Sequence, residues 1–282
     1  MKQKIALLSD IHGNTTALEA VIADAKQAGV TEYWFLGDLL MPGTGRRNIL
    51  NLLKELPLTL QVRGNWEDSL WHAIHGKLDL TRPSHLYLTR LSHFVLEEIN
   101  SQEIDDFQKL PLYEVREVQE MKIMVTHHLP NKNCGRELIH IGQQADFDSL
   151  FEGNDCSIAI YGHIHQQFLR YGTKGQLIIN PGSIGQPFFL DAQLRQDLRA
   201  QYAIIEIDEM GLVDVDLRRV AYDVDKELTI AQQLHLPYYD VYAESLVAGI
   251  HHTHNHDLLR EISAREGYDV DIENYLQRNN NI

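Results

Sequence analysis

Short apolar runs separated by amphipathic segments occupy the first sixty residues of the chain. Residues 5–9, 33–36 and 58–62 are largely apolar and contain β-branched or aromatic side chains, which is typical of buried strands. Segments 15–28 and 46–55 lie between them and place apolar residues at helical spacing. This alternation predicts βαβ units, in which a sheet carries helices on its faces.

Further strands follow in the middle of the chain. Residues 112–118 and 121–126 predict an antiparallel pair, and 157–161 predicts a buried strand. Glycine-containing turns within 167–180 and 202–220 predict two hairpins. The chain therefore combines parallel βαβ units with antiparallel strands.

Two helical patterns lie outside this regular alternation. Residues 67–98 form an insertion rich in aromatic residues and histidine, and we leave two interpretations open for it. It could be a lid over a site, or a helical hairpin whose aromatic side chains simply pack. Residues 221–282 are acidic and mostly helical in pattern. We therefore predict a core domain at 1–220 and a helical C-terminal appendage at 221–282.

Each of five predicted strands ends in side chains that bind metal ions in other proteins. Such strand ends meet at one edge of an α/β sheet, where ligand sites form. Carboxylate, amide and imidazole groups suit borderline divalent ions. Any one of these residues could equally be a loop, cap or surface residue, but their joint occurrence predicts one metal site. In chain order they are Asp10, His12, Asp38, Asn65, His127, His163 and His165.

The charge balance of this set suits phosphate chemistry. The two negative charges of Asp10 and Asp38 do not neutralise two divalent or trivalent ions, so the site keeps a net positive charge. Such a site attracts phosphate and lowers the pKa of bound water. The amide oxygen of Asn65 can ligate without cancelling that charge. A binuclear centre for phosphoester hydrolysis is the expected result.

Composition restricts the partners of the chain. Its 282 residues carry a formal net charge of −15, which argues against long nucleic acid as a ligand. Two cysteines do not make a disulfide framework and fit a reducing compartment. The chain begins with a strand-like run, has no signal-peptide pattern, and has no apolar stretch long enough to span a membrane. We expect a cytoplasmic protein without membrane contact, and we leave open whether it forms a homo-oligomer.

The ordered motifs of the chain resemble those of the calcineurin-like metallophosphoesterases. They are Asp10-x-His12, Gly37-Asp38, Gly64-Asn65, His127 and Gly162-His163-x-His165. The resemblance runs from about residue 4 to residue 183, and the spacing and the loop at 180–183 resemble the small bacterial phosphodiesterase branch. It implies the α/β class, as an αββα sandwich of two mixed sheets flanked by helices, with the helical insertion and the helical C-terminal appendage added.

The resemblance also implies a division of the ligands between two ions, with Asp38 bridging them. Manganese, iron, zinc or related ions occur across the family. One metal would be held by Asp10, His12, Asp38 and His165, and the other by Asp38, Asn65, His127 and His163.

Three more residues are candidates for contact with the substrate. Asn14 could bind phosphate at a helix N-terminus or act as the N-cap, and both can hold. His128 could be a substrate-contacting catalytic residue or a spectator, and Arg63 is a weaker phosphate-clamp candidate. We place Asp38, Asn65, His128 and Asn14 among the catalytic residues, and Asn14, Arg63 and His128 among the substrate-binding residues.

One position departs from the pattern of the family. Many members have a histidine after the Gly-Asn pair that protonates the leaving group, and this chain has Trp66 there. Basic alkoxide leaving groups should therefore be poor substrates unless another group supplies the proton.

We predict a binuclear-metal phosphodiesterase or phosphohydrolase in which a metal-bound hydroxide attacks phosphorus. The expected substrates are small: nucleotides, dinucleoside polyphosphates and aryl phosphodiesters. The alternative is a non-catalytic interaction or scaffold module on the same fold. A histidine-rich stretch at 251–256 could bind metal, but we interpret it as a surface cluster at a helix end.

Overall fold

The computed structural model describes residues 2–279, which form two five-stranded mixed sheets packed face to face. The first sheet contains β1 (Gln3–Leu8), β2 (Glu32–Phe35), β3 (Leu58–Gln61), β9 (Ala200–Asp208) and β10 (Gly211–Val220). Its strand order is β10-β9-β1-β2-β3. The second sheet contains β4 (Tyr113–Val118), β5 (Met121–Thr126), β6 (Ile158–Tyr161), β7 (Gln167–Tyr171) and β8 (Leu177–Pro181). Its strand order is β4-β5-β6-β8-β7.

Helices cover the outer faces of both sheets. They are α1 (Thr15–Gln27), α2 (Arg47–Lys54), α3 (Asn65–Ile74), α4 (Pro83–Leu96), α5 (Ser101–Phe107), α6 (Gln144–Asp148), α7 (Val224–Gln233), α8 (Tyr239–Ala248), α9 (His256–Glu266) and α10 (Tyr268–Asn279). None of these helices is both long enough and apolar enough to cross a lipid bilayer.

The last four residues of β1, from Ile5 to Leu8, show why the sequence there is apolar at every position. Ile5 and Leu7 face the second sheet, whereas Ala6 and Leu8 pack against the helical layer. A strand buried on both faces has no polar side, so its residues read as a continuous apolar run. β1 pairs in parallel with β2 and antiparallel with β9, which makes the first sheet mixed.

The predicted fold class is confirmed. The structure has two mixed sheets flanked by helices, and the pairs β4–β5, β7–β8 and β9–β10 are antiparallel as the patterns predicted. Helix α6 was not predicted. It has five residues, which is too short for a helical period to appear in the sequence.

The insertion is a helical hairpin made of α3 and α4. Leu91 and Phe94 of α4 are buried in the same hydrophobic cluster as Leu8 of the first sheet. Tyr87 of α4 meets the ring of Tyr238, which precedes α8, with 4.8 Å between ring centroids. The insertion and the C-terminal helices therefore pack against each other and the core, and the domain division at residue 220 stays a prediction.

Glu227 of α7 ties the C-terminal helices to the start of the chain. Its carboxylate is fully buried and accepts hydrogen bonds from Thr16 N and Oγ1, at 3.2 and 2.6 Å. Thr44 Oγ1 and the Tyr242 hydroxyl donate to its other oxygen, at 2.8 and 2.9 Å. A carboxylate beside the N-terminus of α1 is also favoured by the dipole of that helix.

We expect Glu227→Ala to lower the free energy of unfolding by about 3 kcal/mol, because it leaves several buried donors without an acceptor. Urea denaturation would measure the change. The exposed Glu152 is the control, and its alanine variant should change stability by less than about 0.5 kcal/mol. A loss below about 1 kcal/mol for Glu227→Ala would show that the donors find other acceptors.

Candidate metal centre

Loops at the ends of five strands bring the seven predicted ligands together. Ligand atoms of Asp10, His12, Asp38 and His165 lie within 4.8 Å of one another, and those of Asp38, His127 and His163 form a second such group. Asp38 belongs to both groups. Asn65 Oδ1 joins the second group, at 2.8 Å from His163 Nδ1 and 3.2 Å from His127 Nε2.

Main-chain carbonyl groups orient the imidazole rings. The Nδ1 atoms of His12, His127 and His165 lie 2.8, 2.7 and 2.7 Å from the carbonyl oxygens of Met41, Leu36 and Gln186. A carbonyl oxygen can only accept, so each Nδ1 carries a hydrogen and each Nε2 faces the site, where its lone pair can bind a cation once it holds no proton. His163 is reversed, since its Nε2 lies 3.0 Å from Gly135 O and its Nδ1 faces the site.

Ligand atoms of several side chains therefore crowd together at the site. His12 Nε2 and His165 Nε2 are 2.9 Å apart, although each ring already donates through Nδ1. Asp10 Oδ1 is buried without a hydrogen-bond partner and lies 3.2 Å from His165 Nε2. Converging lone pairs repel unless a cation lies among them, so the residues present fit metal ions.

The two carboxylates are ionised. Burial by itself would raise the pKa of Asp10 and of Asp38, but the neighbouring imidazoles outweigh burial and lower both. Burial, together with the neighbouring imidazoles, lowers the pKa of His12 to about 4 and that of His163 to about 3. Burial also acts to lower the pKa of His127, but the two carboxylates raise it to about 10. A cation at this position would displace that proton.

The ligand loops hold an unfavourable backbone conformation. Five of the seven candidate ligands are in the left-handed region, with φ between 50° and 68°. Each such residue costs about 1 kcal/mol or more. Strain of this kind concentrates at functional sites, where it positions side chains at the expense of stability. The five are Asp10, His12, Asp38, His163 and His165.

Two motif glycines are needed because the loops approach closely. A Cβ on Gly64 would collide with Asp38 Oδ1, and one on Gly162 would collide with Ser9 Oγ. Trp66 N donates to Asp38 Oδ1 at 2.8 Å, so Asp38 Oδ2 is the oxygen that faces the imidazoles, 3.3 Å from His127 Nε2.

Glu67 supports the site and was not identified from the sequence. It is buried, and its carboxylate accepts from the main-chain N–H groups of Asp38, Leu39 and Gly64 at 2.9, 2.7 and 2.7 Å. Burial and the charge of Asp38 raise its pKa to about 7. Glu67 thus joins the loop that carries Asp38 to the loop that precedes Asn65. Its place three residues after Gly64, as in a capping box, was the available signal.

A cavity of about 490 Å³ opens beside the centre, and we call it the insertion-side cavity. Its walls come from the metal centre, from the insertion and from the segment after α8. Besides Asn65, His163 and His165, its lining includes Trp66, Arg82, His85, Leu88, Phe188, His251 and His254. One part of the surface of the insertion packs against the core and another part lines the cavity, and the role of a lid stays a prediction.

His251 departs from the interpretation of the histidine-rich stretch as a surface cluster at a helix end, whereas His254 is exposed. Its ring contacts those of His165 and Phe188, with centroids 5.8 and 5.3 Å apart, and its Nε2 is enclosed without a hydrogen-bond partner. Burial, with the nearby imidazoles, lowers its pKa to about 3, so the ring is neutral. His252, in contrast, pairs with Glu244 at 2.7 Å. The C-terminal segment is thus part of the cavity wall.

Asn14 is used as a helix cap. Its Oδ1 accepts from Ala17 N at 3.0 Å, and its Nδ2 donates to Gly185 O and to the Tyr222 hydroxyl at 3.3 and 3.1 Å. The side chain is fully buried, and each of its polar atoms has a protein partner. The geometry favours the interpretation of Asn14 as an N-cap over its interpretation as a substrate contact.

Arg63 does not face the cavity. Its guanidinium donates to the carbonyl oxygens of Gln108 and Leu110 and forms an ion pair with Asp68 at 2.9 Å. These partners hold the end of α5 against α3, so Arg63 has a structural role and the phosphate-clamp prediction needs correction.

His128 is fully buried behind His163, with 4.9 Å between their ring centroids. Its Nε2 lies 3.0 Å from the carboxylate of Glu137. It does not line the cavity, and this position favours the spectator interpretation over substrate contact or catalysis.

Known proteins resemble this chain in sequence and in fold. The sequence profile of the calcineurin-like phosphoesterase superfamily domain matches residues 3–210. An uncharacterised protein of Methanocaldococcus jannaschii, MJ0912, is 25% identical over 244 residues, which cover 80% of this chain and 90% of that protein.

Two crystal structures resemble the fold over most of its length. A metallophosphoesterase from Sphaerobacter thermophilus matches with a TM-score of 0.65 and 24% identity, covering 88% of this chain and all of the other. The hypothetical protein PH1004 from Pyrococcus horikoshii matches with a TM-score of 0.68 and 19% identity, covering 88% and 99% of the two chains. With the family match spanning most of the chain, the protein belongs to the calcineurin-like phosphoesterase superfamily.

Proposed function

We propose that this protein is a metal-dependent hydrolase of phosphodiester or phosphoanhydride bonds in small substrates such as nucleotides, dinucleoside polyphosphates and aryl phosphodiesters. The observation that carries the proposal is the convergence of acceptor atoms, above all the unpartnered Asp10 Oδ1 beside His165 Nε2. Two divalent ions, when bound, would polarise the phosphoryl group and lower the pKa of water.

The residues of the chain divide this work. Asp10, His12, Asp38 and His165 would hold one ion, and Asp38, Asn65, His127 and His163 the other. Because only two of the seven candidate ligands, Asp10 and Asp38, are anionic, two bound divalent ions would leave a positive charge that binds a phosphate. Asn65 keeps that charge by ligating through a neutral amide.

Hydrolysis forms a bond from a water oxygen to phosphorus and breaks the bond from phosphorus to the leaving oxygen. The leaving oxygen must depart as an anion or take a proton. The indole of Trp66 lines the cavity, with its ring 5.2 Å from that of His12, and it supplies no acidic proton. Leaving groups of low pKa should therefore be favoured.

We expect a plot of log kcat against leaving-group pKa, for a series of aryl and alkyl esters, to have a steep negative slope. A general acid contributes about 10²–10⁴-fold, and this benefit grows with the basicity of the leaving group. The measurement requires conditions in which chemistry limits the rate. A flat plot would contradict the prediction and would show that an efficient acid is present.

The activity itself is tested with bis(p-nitrophenyl) phosphate. Purified protein should hydrolyse it with added Mn²⁺, lose activity with EDTA, and regain it when Mn²⁺ is restored. Thermal unfolding provides an independent readout, because an ion that binds only the folded state raises the Tm. A rise in Tm without turnover of any phosphodiester or phosphoanhydride would overturn the proposal in favour of a non-catalytic module.

A further inference from the structure

A second cavity adjoins the metal centre. It has a volume of about 250 Å³ and shares His163, Ile164 and Phe188 with the insertion-side cavity. Its remaining wall comes largely from the segment between β5 and α6, which includes Arg136 and Ile139. We call it the loop-side cavity. The imidazole of His163, a candidate ligand, thus lies where the two cavities meet.

Each cavity has one arginine without a protein partner. Of the arginines whose side chains the structure describes, twelve form a hydrogen bond, an ion pair or a contact with an aromatic ring. The remaining two are Arg82, in the insertion-side cavity, and Arg136, in the loop-side cavity. Both are exposed.

Asp79, which precedes Arg82 by three residues, forms no ion pair with it. The Asp79 carboxylate accepts from Thr81 N and Oγ1 at 3.1 and 2.6 Å. These bonds are the main cause of the lowered pKa of Asp79, and the charge of Arg82 contributes least among the causes. In a chain with a net charge of −15, an arginine left unpaired at each cavity is available to an anionic ligand.

Apolar side chains lie near both arginines. Trp66 and Leu88 line the insertion-side cavity, Ile139 and Leu190 line the loop-side cavity, and Phe188 belongs to both. Guanidinium groups bind phosphate through paired hydrogen bonds, and flat apolar surfaces accept aromatic rings. Each cavity therefore offers the two features that hold one end of a nucleoside phosphate.

We propose that the substrate lies across the metal centre with one phosphorylated arm in each cavity, held by Arg82 on one side and by Arg136 on the other. This inference rests on the proposed function and narrows its substrate class to phosphoanhydrides flanked by phosphates on both sides, such as dinucleoside polyphosphates. The water oxygen bonds to a phosphorus between the arms, and the bond from that phosphorus to the other arm breaks. The departing arm leaves as an ionised phosphate and the proton of the water passes to solvent, so no acid is needed at Trp66.

The first test compares kcat/KM for P¹,P⁴-di(adenosine-5′) tetraphosphate with kcat/KM for bis(p-nitrophenyl) phosphate, which has no flanking phosphate. Arg82→Ala and Arg136→Ala should each lower the ratio of the two values about tenfold, because each removes a charged hydrogen bond to one arm. The double variant should lower it about a hundredfold, since the two contacts are separate. Arg260→Ala is the control, because Arg260 is an exposed arginine on α9 outside both cavities, and it should leave the ratio unchanged.

The second test measures binding without turnover. Calorimetry with a methylene-bridged, non-hydrolysable analogue of the same tetraphosphate should show about tenfold weaker affinity for each single variant. Arg82→Lys and Arg136→Lys should restore part of the affinity, because lysine keeps the charge and loses the paired geometry.

The outcomes separate the inference from the proposed function. If Mn²⁺-dependent hydrolysis of the aryl diester holds and none of the alanine variants changes the ratio, the two-armed substrate is wrong and the function stands. A change in the ratio for only one of the two arginine variants would also overturn the two-armed substrate, because only one arm would then be held by an arginine. If hydrolysis of every phosphoester and anhydride is absent or indifferent to chelation, the proposed function itself fails.

Discussion

Asp38→Asn should reduce kcat for bis(p-nitrophenyl) phosphate by about 10³-fold or more while leaving the fold intact. Asp38 is the residue common to both groups of ligand atoms, so one neutralised carboxylate weakens both proposed ion sites. The substitution keeps the acceptor that Trp66 N requires at Oδ1, which limits its structural effect. A loss of this size corresponds to about 4 kcal/mol of transition-state stabilisation, within reach of a shared metal ligand.

The measurement combines turnover with metal content. Elemental analysis of the variant should find fewer ions per chain than in the wild type, and circular dichroism should be unchanged. Asp257→Asn is the control, because Asp257 is an almost fully exposed aspartate on α9. Near-normal turnover in Asp38→Asn with both ions still bound would rule out a shared, bridging role for this carboxylate.

Glu67→Gln should weaken metal binding about 10- to 100-fold, although Glu67 is not a proposed ligand. Its carboxylate accepts three main-chain N–H groups from the loops around Asp38 and Gly64. An amide offers one oxygen in place of two, so at least one buried N–H loses its acceptor and faces an NH₂ group. The Asp38 loop would then hold its strained left-handed conformation less firmly.

Glu103 provides a matched control for Glu67. It occupies the same position in the capping box of α5, where its carboxylate accepts from Asn100 N at 3.1 Å, remote from the ligand loops. Glu103→Gln should lower Tm without changing the calorimetric affinity for Mn²⁺, whereas Glu67→Gln should change both. Equal effects of the two substitutions on metal affinity would mean that Glu67 acts only as a helix cap.

Local pattern was sufficient for most of the fold. Residues 5–8 are all apolar because both faces of β1 are covered there, and the helical spacing of apolar residues in α1 follows from the burial of one side of this helix. The residues that form each of these patterns lie within a few positions of one another, so the patterns can be recognised from the sequence alone. Helix α6 was missed because five residues do not complete enough turns to show a period.

The substrate contacts were harder to predict, because they depend on partners far away in the chain. Arg63 follows a strand end and resembles a phosphate clamp, but the carbonyl oxygens that bind it belong to Gln108 and Leu110. The sequence position of Asn14 suits a helix cap and a phosphate contact equally well. In the structure its side-chain amide nitrogen donates to Gly185 O and to the Tyr222 hydroxyl, so it is not free to bind a ligand.

The sequence by itself determined the fold class, the family resemblance and which seven residues meet at the sheet edge, because strand-end position is a local property. Only the tertiary structure decided how those residues are oriented. The Nδ1 atoms of His12, His127 and His165 donate to main-chain carbonyl oxygens, and every residue type has such an oxygen, so the sequence does not show which ones are used. It also decided that His251 belongs to the cavity wall, because this depends on how the C-terminal helices pack onto the insertion and the core. Packing between segments that are far apart in the chain depends on the sum of many weak contacts, and it cannot be predicted from any short stretch of sequence.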